Sequence, residues 1–384
     1  MNRQPVIKPG ATIGILGGGQ LGRMIALAGR AMGYRFLTMD PTPDAPCGQI
    51  ADEQIIADYH DAKAALELAE KSDLITYEFE NVDATVAEIL ETKSFVPQGS
   101  RLLRITQNRI KEKTAIQDMG IPVAPFRVVA SLQDLEAAID ELGLPAVLKT
   151  ATGGYDGKGQ WVLRQHEELG QAYAELSQAG VELIVEQFVP FNKEVSVIAA
   201  RSLSGEISTF PVAENVHVHN ILHLSIVPAR ISAEIELRAK QIAEQIAERL
   251  EVVGLIAVEM FVTADGRLYV NELAPRPHNS GHYTMDACVT SQFEQHLRAV
   301  CNLPLGSTRL LSPVVMVNIL GEHMEGTLAM AEKLPPTAKL HLYGKKESKE
   351  KRKMGHLNVL ADTTEEALAM IDDLQIWNKV EVTQ

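Results

Sequence analysis

KTATGGYDGKGQW, residues 149–161, is the stretch on which the reading of this chain turns. Gly153, Gly154, Gly157 and Gly159 loosen its backbone, and Lys149 and Lys158 give it positive charge. The apolar run AVLKT (146–150) precedes it and QWVLR (160–164) follows, so the loop joins two strands. A Walker-type phosphate loop needs G-x-x-x-x-G-K-[ST] leading into a helix, and that reading fails here. A glycine-rich flap between strands suits closure over a nucleotide triphosphate. The alternative is a mobile hairpin without a ligand, which a lysine at the end of the preceding strand disfavours.

Upstream, residues 12–100 alternate between strand and helix. Strands are expected at 12–16, 34–39, 53–57, 73–77 and 94–97, and helices at about 20–32, 61–71 and 83–92. Such alternation predicts an open, doubly wound parallel sheet. Its first turn, TIGILGGGQLGRM (12–24), carries G-x-G-x-x-G at Gly17, Gly19 and Gly22, and Asp40 ends the next strand. That is the pattern of a dinucleotide site, with Asp40 near the position of a ribose-binding acid. NAD, another phosphate or polar ligand, and a tight turn holding nothing are equally compatible with these residues.

Downstream, a helix is expected from about 106 to Met119, ended by Gly120 and Pro122. Strand PFRVV follows, then a helix over 131–142. Ser131 and Asp134 resemble its capping box, and Leu135, Ala138, Ile139 and Leu142 form its apolar stripe. A helix at 167–178 and strands at 182–188, 194–201, 206–214 and 222–227 come next. Ile235, Ala239, Ile242, Ile246 and Leu250 line a long helix. The strands LIAVEMFVT and RLYVNEL are joined by the turn ADGR. Beyond about 300, strands are expected near 314–320, 338–343 and 356–361, and helices near 325–333 and 363–377.

At 384 residues the chain is too long for one ordinary core, so two or three domains are expected. A net charge of −14 disfavours nucleic-acid binding, because a polyanion would be repelled over most of the surface. Cys47, Cys288 and Cys301 are too few and scattered for a disulfide framework, which places the chain in a reducing cytoplasm. The N-terminus lacks the apolar run of a secretion signal, and no stretch approaches the ~20 apolar residues of a membrane span.

Three further groups carry chemistry. Glu259 and Glu272 sit in apolar strands on either side of a short turn, where they can oppose each other across a hairpin. Buried carboxylates so placed need a cation; with Asn271 nearby the oxygen donors suit Mg²⁺, and pairing with Arg or Lys is the alternative. Six basic residues fall between Lys345 and Lys353 in an otherwise acidic chain. Flanked by Tyr343, Gly344, Gly355 and His356, they suit a phosphate ester rather than a merely solvated loop. His217 and His219 are expected on one side of a strand; with no third ligand in view, no zinc site is expected. Met316, Met324 and Met330 read as core filler.

Taken in order, GGGQLGRM, YEFENV (77–82), TGGYDGKGQW, EQFVPFNKEVSV (186–197), VNELAPRPHNSGHYT (270–284) and HLYGK…RKMGH resemble the ATP-grasp superfamily. Within it they resemble the 5-(carboxyamino)imidazole ribonucleotide synthase family of purine biosynthesis. The runs GGYDGKGQ, APRPHNSGH and YGK…RKMGH separate that family from formate-using glycinamide ribonucleotide transformylase and from biotin carboxylase. The resemblance implies an α/β ATP-grasp architecture: an N-terminal doubly wound parallel sheet, two α+β subdomains enclosing ATP, and a small C-terminal α+β domain. The corresponding segments are 1–105, 106–300 with a flap subdomain at about 122–190, and 301–384.

The implied activity joins ATP, bicarbonate and 5-aminoimidazole ribonucleotide, through carboxyphosphate, into the N-carboxylated ribonucleotide with ADP and phosphate released. Carried over by motif, Arg109 and Lys149 hold the ATP phosphates beneath the flap Gly154, Tyr155, Asp156, Gly157, Lys158, Gly159 and Gln160. Glu186, Gln187, Phe188 and Val189 form the adenine hinge, Glu194 takes the ribose, and His217 and Asn271 lie by the nucleotide. Glu259 and Glu272 bind Mg²⁺, as two ions; Ala274 stands where relatives often carry an Asn. Arg276 and His278 face bicarbonate and carboxyphosphate. Lys345, the third implied catalytic residue, grips the ribonucleotide phosphate with Arg352. Gln20, Leu21, Glu80, Tyr155 and Asp156 complete that pocket. The first glycine loop then marks the fold rather than a cofactor, and Asp40 becomes an ordinary strand-end residue. The family also implies a homodimer, with no nucleic-acid or membrane partner.

Overall fold

A computed structural model describes residues 5–154, 158–178 and 180–377. The N-terminal unit runs β1 (Thr12–Leu16), α1 (Gln20–Ala31), β2 (Arg35–Met39), β3 (Glu53–Ile55), α2 (Ala62–Glu70), β4 (Leu74–Tyr77) and α3 (Ala84–Glu91). Its strands pair in parallel in the order β3-β2-β1-β4, as the alternation predicts. Asp61 and Asp83 cap α2 and α3 by accepting backbone N–H groups that the first turn leaves unpaired. The strand expected at 94–97 does not form. That stretch runs beside β4, where the Ile75 N–H donates to the Phe95 carbonyl at 2.9 Å, but it makes no continuous ladder.

The helix expected from about 106 to Met119 forms as α5 (Arg109–Asp118), and a helix the sequence did not indicate, α4 (Ser100–Thr106), precedes it. Asn108 causes the break between them. Its side chain accepts the N–H groups of Ile110 and Lys111 at 3.0 and 3.1 Å, so the chain restarts there. The cap places Arg109 at the head of α5, pointing into the molecule's main cleft.

A small antiparallel sheet follows: β5 (Phe126–Val129), α6 (Leu132–Leu142), β6 (Ala146–Thr150), β7 (Gln160–Leu163), α7 (Leu169–Ser177) and β8 (Leu183–Gln187), with strand order β5-β8-β6-β7. The glycine-rich loop joins β6 to β7; Tyr155, Asp156 and Gly157 lie outside the described residues. Ser131 caps α6 as predicted, and the stripe Leu135, Ala138, Ile139 and Leu142 is buried against this sheet.

The central sheet contains nine strands among the described residues. They are β9 (Phe191–Arg201), β10 (Ile207–Thr209), β11 (Ala213–Val218), β12 (Ile221–Val227), β13 (Gly254–Thr263), β14 (Leu268–Ala274), β15 (Val314–Leu320), β16 (Ala338–Leu342) and β17 (Lys353–Leu360). The order is β14-β13-β9-β11-β12-β15-β17-β16, with β10 pairing β9. The expected strand 206–214 is thus split into β10 and the start of β11. Helix α8 (Ala233–Arg249) covers one face through Ala239, Ala243 and Ile246. Helices α9 (Thr284–Ala287) and α10 (Gln292–Val300), which periodicity did not indicate, follow β14; α10 packs against the core of the N-terminal unit. The helix expected at 325–333 is α11 (Met324–Ala329) with a short 3₁₀ turn, and α12 (Thr364–Asp373) lies over β15 and β17. Met316 is fully buried, and Met324 and Met330 pack against the C-terminal core, as filler.

Candidate active site

The small sheet, the central sheet and the head of α1 enclose a cleft of about 760 Å³. Strand register supplies its acidic wall. Glu259 on β13 lies opposite Glu272 on β14, as the hairpin predicts, and Glu194 on β9 opposes Phe261 of β13. His217 on β11 joins the same face, its ring 3.2 Å from the Glu194 carboxylate. Burial would lower His217, but Glu194 raises it on balance. His219 is not its partner: it sits in the β11–β12 turn with φ 51°, because the strand stops at Val218. The donors grouped with His217 are Glu194 and Glu259, all within 4.8 Å of one another.

Among the described residues, five carboxylates in the cleft face a basic side chain, and the sixth, Glu112, accepts the Leu273 N–H at 3.3 Å. Glu272 meets Arg109 at 3.2 Å, and Glu259 meets His278 Nε2 at 2.9 Å. Glu186 takes Lys149 at 3.0 Å and Lys113 at 3.2 Å on one oxygen. Burial would raise the Glu186 carboxyl; Lys113 and Lys149 win and hold it at about 2. Glu186 therefore anchors both lysines through its side chain. Burial by itself lowers Lys149. Sequence reading missed Lys113 and Glu112, two buried charges on the weakly amphipathic α5. The Lys113 ammonium also donates to the Asn271 carbonyl at 3.2 Å, so Asn271 bears on this network through its backbone as well as lining the cleft. Burial, then Glu272, pushes Glu112 up to about 8.

Glu80 and Arg276 form a two-pronged pair between loops 196 residues apart. Burial would raise Glu80, yet the guanidinium holds it at about 2. His278 is oriented by a hydroxyl and amide relay. Ser225 donates to Asn215 at 3.0 Å, Asn215 to Ser196 at 2.9 Å, and Ser196 to Ser280 at 2.7 Å. Ser280 then faces His278 Nδ1 at 2.8 Å, which leaves Nε2–H for Glu259.

The first glycine loop is filled by the chain's own carboxylates. The Gly19 N–H donates to Glu78 Oε1, and the Gly22 N–H donates to Glu78 Oε2 at 2.5 Å. Asp40 accepts the Gly18 N–H at 2.8 Å and the Tyr59 hydroxyl at 2.5 Å. A Cβ on Gly17 would stand 2.5 Å from Glu78 Cγ, and one on Gly18 would stand 2.6 Å from Asp40 Cβ. These glycines admit Glu78 and Asp40, and a pyrophosphate would meet two carboxylates where it needs free N–H groups. This corrects one expectation: Asp40 is a buried clamp rather than an ordinary strand end. With Glu78 on the Gly19 and Gly22 N–H groups, the head of α1 beside Gln20 and Leu21 keeps fewer free donors. Burial raises Glu78 to about 7 against the lowering effect of those N–H bonds.

Of the basic run, Lys345 turns inward, donating to the Lys353 carbonyl at 2.7 Å, and Lys353 lines the cleft. Burial, then Arg352, lowers Lys345 to about 8; the nearby Glu78 acts the other way. Tyr343 and His356 do not face the cleft. They bond each other at 2.9 Å in the core and support the β16–β17 hairpin. Gln20, Leu21, Gly154, Gln160, Gln187, Phe188 and Val189 also line the cleft, whereas Lys158 and Gly159 lie in the loop beside it.

Comparison with known proteins matches three family models along the chain. They are a ribonucleotide synthetase preATP-grasp domain over residues 10–107, an ATP-grasp domain over 114–293, and a phosphoribosylaminoimidazole carboxylase C-terminal domain over 314–370. The chain is 53% identical over 366 residues to N5-carboxyaminoimidazole ribonucleotide synthase of Bacillus subtilis, covering 95% of each. The chain belongs to the N5-carboxyaminoimidazole ribonucleotide synthase family. It is an ATP-grasp ligase with an N-terminal preATP-grasp parallel sheet, and the dinucleotide reading of Gly17–Gly22 is set aside.

Solved family members agree. An N5-carboxyaminoimidazole ribonucleotide synthetase in complex with ADP superposes with a TM-score of 0.95 at 58% identity, over 98% of this chain and 99% of that one. The Aspergillus clavatus enzyme, solved with ADP and 5-aminoimidazole ribonucleotide, superposes at 0.88 with 30% identity, over 95% and 97%. ATP use is a property of this family's fold.

Proposed function

We propose that this chain uses ATP and bicarbonate to carboxylate the amine of 5-aminoimidazole ribonucleotide, releasing ADP and phosphate. The observation that carries the reading is the opposed pair Glu259 and Glu272, facing one cleft with Arg109, Lys149, Arg276 and His278. Polyphosphate transfer needs several fixed positive groups, and Arg109, Lys149 and Arg276 line the cleft. The hinge Glu186–Val189 would take the adenine and Glu194 the ribose. Arg109 and Lys149 would turn from their carboxylates to the phosphates. The all-oxygen pair Glu259 and Glu272 fits Mg²⁺, which when bound screens phosphate charge. Arg276 and His278 would hold bicarbonate in line with the γ-phosphate. Carboxyphosphate then forms when a bicarbonate oxygen attacks that phosphorus and ADP leaves. Lys345 and Arg352 would fix the ribonucleotide phosphate. We place the chain in the cytoplasm and propose a homodimer, both on the family's pattern.

The test is substrate dependence. ADP release should need bicarbonate and aminoimidazole ribonucleotide together; equal turnover with formate would point to a transformylase, and hydride transfer without ADP release would overturn the reading.

Lys345 adds a pH signature. A lysine lowered to about 8 is charged below that pH and loses its charge as pH rises through it. The KM for the ribonucleotide should therefore climb above pH ~8. In Lys345→Arg, whose guanidinium stays charged, the climb should disappear. A flat profile in the unaltered enzyme would remove Lys345 from phosphate binding.

A further inference from the structure

Asn279 opens the turn after His278 and lines the cleft. Its Oδ1 and Nδ2 are both buried and both lack a hydrogen-bond partner. Among the described cleft residues, Glu186 and His217 also carry an unpartnered buried atom. Glu186, however, still holds two lysines, and the His217 ring lies 3.2 Å from Glu194. Asn279 leaves its whole polar end unused. A buried amide in that condition is costly unless something binds it.

Its position is fixed from both sides. The His278 N–H donates to Gln292 Oε1 at 2.9 Å, and the His278 carbonyl accepts from Gln292 Nε2 at 2.8 Å. On the other side, the Ser280 hydroxyl is held by Ser196 and His278. The backbone that carries the amide is thus held in place on both sides, so less of it has to be ordered when a ligand arrives.

A side-chain carboxamide presents an acceptor and a donor side by side. Its complement is a group with a donor beside an acceptor, and the N–H and C–O of a forming carbamate have that edge. We propose that Asn279 holds the reacting amine and the new carboxyl group together, Oδ1 accepting an amine N–H and Nδ2 donating to a carboxyl oxygen. This rests on the function proposed above. In the step it serves, the amine lone pair forms the N–C bond. The C–O bond to phosphate breaks with its electron pair on the phosphate, which takes the proton the amine sheds. The second N–H stays on Oδ1. Because the paired edge is complete only as the bond forms, the contact favours the transition state over either substrate.

The test compares full-length Asn279→Ala and Asn279→Asp with the unaltered enzyme, measuring ADP and carboxylated ribonucleotide separately. In N279A, carboxylated product should fall about ten- to hundred-fold and product per ADP should drop. The KM for the ribonucleotide should rise, with those for ATP and bicarbonate within about two-fold of the original. N279D keeps the size and the acceptor but sets a negative charge against the carboxyl group, so its product yield should fall below that of N279A. Unchanged product per ADP and ribonucleotide KM in folded N279A would overturn the proposal, as would a rise confined to the bicarbonate KM. If N279A fails to fold, N279D and Asn279→Ser provide the same comparison. Absence of ribonucleotide-stimulated ADP release in the unaltered chain would instead overturn the function itself.

Discussion

Glu272→Ala is expected to lower ADP release about a thousand-fold or more while the protein stays folded. The two halves of that expectation have separate causes. Glu272 faces Glu259 across the β13–β14 hairpin, and the pair offers oxygen donors where polyphosphate charge must be screened. Removing one leaves half of that set. Stability should change little, because the side chain is 42% exposed and its ion pair with Arg109, at 3.2 Å, is partly open to water. Arg109 keeps the field of Glu186 when Glu272 is gone, so no isolated buried charge results. Glu272→Asp keeps a carboxylate but shortens its reach, so activity should be partial and should require more Mg²⁺. The measurements are ADP release against Mg²⁺ concentration and a thermal melt. Near-normal turnover in Glu272→Ala would remove this residue from the metal set.

Arg276→Ala should damage both stability and turnover, and the two can be separated. Its guanidinium meets Glu80 with two prongs, and this pair ties the N-terminal unit to the strand end beyond β14. Taking away one partner leaves the other charge stranded. With the side chains 18% and 28% exposed, water screens part of the loss, so about 2–4 kcal/mol is expected. For a chain of this length that is about 3–5 °C in the melting midpoint. Glu80→Gln combined with Arg276→Met removes both charges and should recover most of that shift. Turnover should stay about a hundred-fold or more below the original, because the cation proposed to face the carboxyphosphate is still missing. If the double variant recovered activity together with stability, Arg276 would be a structural tie and nothing more.

Local pattern made much of this molecule legible. Strand–helix alternation predicts the parallel sheet, and the glycine loop between strands predicts the β6–β7 connection. Glu259 and Glu272 could be paired in advance because a short turn ties their register. The expected start of α5 falls too early although a local signal, the N-cap Asn108, is present. The loss of the strand at 94–97 had no such signal. A β-compatible segment becomes a strand only when a neighbour offers a full ladder, and β4 offers one bond.

What the sequence determined by itself was the set of elements and the chemistry available to them, since both depend on residues close together along the chain. What only the tertiary structure decided was which charges meet. Glu78 reaches across 59 residues to fill the first glycine loop, and Arg276 reaches across 196 to Glu80. Neither spacing is periodic, so nothing local encodes it. Asn279 shows the same limit from the other side. An unpartnered amide is defined by what does not reach it, and only the fold, which sets its turn against β11 and β12, decides that.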